Sequence, residues 1–168
     1  TGYSNTAVGG GTLLSNTFGA YNTAIGLNAL GNNTTGGTNV AVGYNALRTN
    51  TTGYNNTAVG SAALANNTAG IYNTAVGYLA LSLNTIGSFN SAFGFYALRN
   101  NSGSTSNNNA FGAYSLFSNK TGVQNNAFGS AALRNNTSGI QNNAFGAGAL
   151  QNNITGTQNN AFGTFALY

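Results

Sequence analysis

Apolar and polar positions recur along this chain with a single period. An Asn-Thr-Ala-Val-Gly motif, or a close variant, starts at Asn5, Asn22, Asn39, Asn56, Asn73, Asn90, Asn108, Asn125, Asn142 and Asn159. Every interval is 17 residues except the sixth, which is 18, with the additional residue in the Ser102 to Asn107 stretch. Position three of the unit is always Ala, position five always Gly and position nine always Leu. Position twelve is Asn in all nine complete copies, and position fifteen is Gly in eight of them. The unit reads N-T-A-V-G-x-x-A-L-x-x-N-T-x-G-x-x. Self-similarity at a fixed short period is the mark of a repeat architecture, in which each copy buries its apolar face against the next.

The elements within one unit are short. Thr-Ala-Val, or Thr-Ala-Ile, joins a small residue to β-branched neighbours and predicts a strand. Ala-Leu after the next corner predicts a second, and Asn-Thr-x-Gly is turn chemistry. Neither half is long enough for a stable helix. Stacked coils bring equivalent residues about 4.8 Å apart, so ten coils predict a rod of roughly 48 Å. Leu30, Leu47, Leu64, Leu81, Leu98, Leu133 and Leu150 then form a buried column, and Asn33, Asn50, Asn67, Asn84 and Asn136 a ladder of side-chain amides. Invariant Gly marks corners that need positive φ or close backbone approach. The expectation is an all-β fold: a parallel β-solenoid or β-roll of ten 17-residue coils, one repeat domain spanning 1–168.

One column divides the chain. Position four is Val or Ile in the first five copies, and Phe93, Phe111, Phe128, Phe145 and Phe162 in the last five. Two blocks follow, 1–89 and 90–168. The switch implies a thicker core or a different subunit contact in the second block, with a bulge or small loop in the 18-residue copy. In a strand, alternate residues face opposite sides, so either the Ala column or the Thr and Val columns fill the interior. Five exposed Phe residues would be an aggregation hazard on a single chain, which points to self-association along the rod, as a symmetric homotrimer.

Composition removes most chemistry. The chain has no Asp, Glu, His or Cys, and its only charges are Arg48, Arg99, Lys120 and Arg134. General acid–base catalysis, nucleophile activation, zinc sites and high-affinity calcium loops all rest on the missing groups. The chain is therefore read as a non-enzyme with no cofactor and no metal. Four scattered cations make no nucleic-acid footprint. Asn and Gly interrupt every apolar run, so no membrane-spanning segment is expected. The 32 Asn and 25 Gly are a low-complexity signal. The 41% hydrophobic content on a fixed period argues for folding instead. Ten buried Leu side chains contribute on the order of 20 kcal/mol before entropy costs. The sequence starts and stops in mid-pattern and reads as a segment of a longer protein.

Three surface features remain. Arg48, Arg99 and Arg134 share position ten and form either a solvated edge or a stripe for an anionic ligand. Position thirteen offers Thr17, Thr34, Thr51, Thr68 and Thr85, then Ser102, Lys120 and Ile154 interrupt the row. Asn-x-Ser/Thr acceptor sequences occur at Asn33, Asn50, Asn66, Asn100, Asn119, Asn135 and Asn153, as expected from composition, and matter only on a glycosylating route.

At Asn22, Thr23, Ala24, Ile25 and Gly26, followed by Ala29 and Leu30, the chain resembles the repeats of trimeric autotransporter adhesin heads. It is similar as well to repeats of phage tail fibres and of trimeric bacterial fibres that carry a C-terminal intramolecular chaperone domain. The unit here is longer, with an added Asn-Thr-x-Gly turn. The resemblance implies left-handed parallel coils, a homotrimer, and extracellular display on a cell or virion surface with attachment to cell-surface or glycan receptors. The functional expectation is a structural segment of an adhesive or tail fibre. The alternatives are a self-assembling, functional-amyloid-like fibril subunit and an ice- or carbohydrate-binding solenoid.

Overall fold

A computed structural model describes residues 2–102 and 104–168. It is a β-solenoid. Each copy of the repeat contributes one three-residue strand: β1 (Thr6–Val8), β2 (Thr23–Ile25), β3 (Val40–Val42), β4 (Thr57–Val59), β5 (Thr74–Val76), β6 (Ser91–Phe93), β7 (Asn109–Phe111), β8 (Asn126–Phe128), β9 (Asn143–Phe145) and β10 (Asn160–Phe162). They form one parallel sheet in chain order. Pairing is in register: Ala58 lies opposite Ala75, and Phe128 opposite Phe145. The 17-residue period thus becomes one coil per copy.

The interior is narrow, and residue size decides what enters it. The middle Ala of each strand turns inward and is buried from Ala24 to Ala161. Leu30, Leu47, Leu64, Leu81, Leu98, Leu116 and Leu133 are fully enclosed, beside the Ala that precedes position nine in most coils. Ser115 takes that Ala place in one coil and donates its hydroxyl to the Gly112 carbonyl at 2.8 Å. Strand positions two and four, flanking the Ala, therefore face outward. The Phe residues of the second block do not thicken the core; they form an external column. Only the small methyl of Ala fits between the strand and the Leu column.

Ala-Leu does not form a second strand. Among the described residues each coil has a single strand, and Ala-Leu lies in turn structure. The reason is the backbone of Leu, which is left-handed in every copy, from φ 47° at Leu13 to φ 50° at Leu167. Positions seven and seventeen are left-handed too, as at Ala62 (φ 55°) and Tyr72 (φ 55°). Such conformations cost energy in a non-glycine residue and persist only where the surroundings dictate them. Here coil-to-coil backbone bonds continue through the turns: Leu47 N–H donates to Ala63 O at 3.0 Å, and Leu64 N–H to Ala80 O at 3.0 Å.

The two recurrent glycines serve different needs. At position five φ lies between 124° and 139°, on the side reserved for glycine. At position fifteen φ is ordinary, but a Cβ on Gly70 would overlap the Gly87 carbonyl oxygen of the next coil. In the 18-residue coil the insertion falls between Asn101 and Thr105, and residue 103 lies outside the described residues. Thr105 occupies the glycine place: its carbonyl accepts from Asn90 Nδ2 at 3.0 Å.

Candidate functional site

Asparagine is the chain's most abundant polar side chain, and the coil buries those at positions one and twelve. Asn33, Asn50, Asn67, Asn84 and Asn136 are fully buried, as the sequence pattern predicts. Each passes a hydrogen bond back one coil, as Asn50 Nδ2 does to Asn33 Oδ1 (2.8 Å) and Asn67 Nδ2 to Asn50 Oδ1 (2.9 Å). The second hydrogen of each Nδ2 closes the local turn, as from Asn67 to Gly70 O at 3.0 Å.

A second buried ladder runs through position one, which sequence reasoning used only as a start marker. Asn56 Oδ1 accepts both the Asn73 backbone N–H (3.0 Å) and Asn73 Nδ2–H (3.2 Å). Asn56 Nδ2 reaches Gly70 O at 2.8 Å, the same carbonyl that Asn67 engages. The position-fifteen carbonyls thus tie the two ladders together. The available signal was invariance: position one is Asn in all ten copies. An identical amide in the adjacent coil supplies the partner that each buried amide's remaining donor and acceptor need.

The acceptor sequences divide by depth. Asn33, Asn50 and Asn119 are fully buried with both Nδ2 hydrogens engaged; Asn153 is half-buried and engaged in the same way. Asn66, Asn100 and Asn135 are half-buried at position eleven. The Thr row at position thirteen turns its hydroxyls onto backbone: Thr34 Oγ1 donates to Thr51 O at 2.9 Å and Thr51 Oγ1 to Thr68 O at 3.0 Å.

Two outer surfaces are distinctive. On the strand face of the second block, Phe93, Phe111, Phe128, Phe145 and Phe162 stack with centroids 4.7 to 5.0 Å apart and planes within 8°. Beside them runs an amide row, Asn109 to Asn126 to Asn143 to Asn160, with Nδ2–Oδ1 distances of 2.7 to 2.8 Å. In-register strands bring identical side chains to stacking distance without further adjustment.

The other surface lies around the turn after the strand, in the middle coils. Positions six, seven and ten bring together Tyr78, Phe95, Tyr96, Tyr114 and Phe117. Phe95 stands edge-on to Tyr96 at 4.2 Å, Tyr78 stacks on Phe95 at 5.5 Å, and Tyr96 lies 5.5 Å from Tyr114. Tyr78 and Phe95 are exposed. Arg99 and Arg134 lie over Tyr96 and Tyr114, each 5.4 Å from the ring centroid. Of the three position-ten cations, Arg48 and Arg134 are exposed and Arg99 is half-buried, its Nη1 donating to Asn100 Oδ1 at 3.0 Å. Among the described residues, the buried polar atoms without a partner are Ser82 Oγ, Arg99 Nε and Thr105 Oγ1. Ser82 and Arg99 are consecutive rungs of position ten, beside the aromatic group. A shallow depression of about 230 Å³ near the insertion is lined by Ser102, Ser104, Thr105, Thr121 and Val123. The chain contains no His, Asp or Glu to set beside its hydroxyls.

No family model, no curated protein and no solved structure matches the chain.

Proposed function

We propose that this chain is a non-catalytic, structural segment of an extracellular adhesive or tail fibre, assembled as a homotrimer. The observation that carries the proposal is the use made of the recurrent columns of the repeat. Leu, Ala, Gly and Asn all serve coil-to-coil contact, so the repeat specifies a rod rather than a pocket. The external Phe column supplies the association face, because stacked apolar rings along one side gain most when a second surface covers them. A solenoid in which each repeat contacts only its neighbours lengthens copy by copy, which suits an elongated fibre element.

A second reading, a self-assembling fibril subunit, draws on the amide row at Asn109 to Asn160 beside the Phe stack. That pairing is the surface chemistry of steric-zipper assemblies. Light scattering combined with electron microscopy separates the readings. The fibre segment is expected to give three-chain rods of fixed length. Indefinitely long filaments would establish the fibril reading, and a compact monomer would overturn both.

A further inference from the structure

We infer that the aromatic and arginine patch formed by Tyr78, Phe95, Tyr96, Arg99, Phe117 and Arg134 is a binding site for a linear acidic polysaccharide, one whose repeating disaccharide carries a single carboxylate.

The patch is a departure from the repeat. Position six is Ser61, Ala113, Ser130 or Ala147 in some coils and Leu27 or Tyr44 in others, and position seven is Ala62 or Ala131 in some and Phe165 in another, so the coil folds with or without a ring at either place, and only the middle coils cluster rings there. Exposed apolar rings without a structural duty mark an interaction surface. Their faces match the C–H faces of pyranose rings, which shed water on stacking.

The charges narrow the partner. Arg99 and Arg134 are held over rings with no carboxylate near them, because the chain has none. A second copy of this chain brings no carboxylate either and would set cation against cation. The counter-charge therefore comes from a different, anionic molecule. Nucleic acid fits poorly: duplex DNA carries a phosphate about every 1.7 Å along its axis, far denser than this surface can neutralise. Arg99 and Arg134 belong to coils two apart, which at the strand spacing separates them by about 9.6 Å along the rod. That interval is comparable to one disaccharide, and Phe117 occupies the rung between them. A polyuronate lying along the rod meets guanidinium, ring and guanidinium in turn, with each carboxylate taken by an Arg fork.

The inference deepens the adhesive reading by naming a ligand class, yet its own test is independent of rod formation. Hyaluronan decasaccharide is titrated into the 168-residue chain, with a neutral maltodextrin of similar length and a single-stranded DNA oligomer in parallel. Hyaluronan is expected to bind at least about tenfold more tightly than either comparator. Arg99→Gln and Arg134→Gln should each weaken it about tenfold, while Arg48→Gln leaves it unchanged. Arg134 is exposed, so its variant tests the site without risk to the fold. Equal affinity for maltodextrin, tighter binding of DNA, or full affinity in Arg134→Gln would each overturn the assignment. Rods without hyaluronan affinity would sink this inference alone, whereas a compact monomer that binds hyaluronan would sink the fibre reading alone.

Discussion

Asn67→Asp is expected to leave the rod folded at pH 3 and to destabilise it by about 4 kcal/mol more at pH 7. Asn67 is fully buried; its Nδ2 faces Asn50 Oδ1 and Gly70 O, and its Oδ1 accepts from Asn84 Nδ2 at 2.9 Å. An ionised carboxylate there would point an acceptor at two acceptors in a dry interior. The protonated acid restores one donor, so the folded chain holds the proton well above the ordinary Asp value of about 3.9. A raised folded value means the protonated-state stability is fully present below the unfolded value and is lost as pH rises through the folded one. Even at pH 3 one hydrogen bond fewer remains, a residual cost of about 1–2 kcal/mol. The parent chain is the control. Having no Asp, Glu or His, it should show the same unfolding midpoint at pH 4 and pH 7, apart from its termini. The neighbouring Tyr3 phenol holds the exposed Tyr21 phenol above its ordinary value of 10.0. Denaturant melts of both proteins at each pH check the prediction. An Asn67→Asp variant equally stable at pH 3 and pH 7 would contradict a buried amide ladder.

Gly77→Ala should cost about 3–5 kcal/mol. Gly77 has φ 134°, and a Cβ there would meet Gly94 O at 2.5 Å. The Gly94 carbonyl and the Gly77 backbone that carries the Cβ are both held in place by neighbouring coils, so relaxation is costly. Gly37→Ala provides the contrast. Its φ is ordinary, and although a Cβ would approach the Ala20 carbonyl oxygen at 3.0 Å, the same column carries Ala20, Tyr54 and Ile71 in other coils, so only a small adjustment is required. Its effect should stay within about 1 kcal/mol. Urea midpoints of the two variants decide the matter; similar losses would mean that position five is not a special corner.

These two substitutions also indicate what is legible in such a sequence. The period gives the register directly, because a residue that must pack against its own copies is constrained in every coil. Leu64, Asn67 and Gly77 are thus recognisable as structural before any coordinates are seen. The direction of the strand residues is harder. The pattern leaves either the Ala column or its flanking columns inside, and the structure settles it: the bore beside the Leu column admits only Ala from the strand, and the larger strand residues go outside. The Ala-Leu segment looks extended but turns at Leu, because the left-handed conformation of a non-glycine residue is imposed by bonds to adjacent coils, not by its own preference. The position-one ladder was visible as invariance, but not its burial. The aromatic and arginine patch escapes pattern reading for the opposite reason: it is where the pattern is broken, and only stacking brings Tyr78, Tyr96 and Phe117 onto one surface.

The most direct measurement is a methyl–methyl nuclear Overhauser experiment on protein labelled only at Leu methyl groups. In-register stacking predicts a one-dimensional chain of contacts, Leu47 to Leu64 to Leu81 to Leu98, each linking residues 17 apart in sequence and lying at roughly the 4.8 Å strand spacing. Absence of a Leu64–Leu81 contact, or equally strong contacts between Leu64 and Leu98, would contradict the column on which the whole account rests.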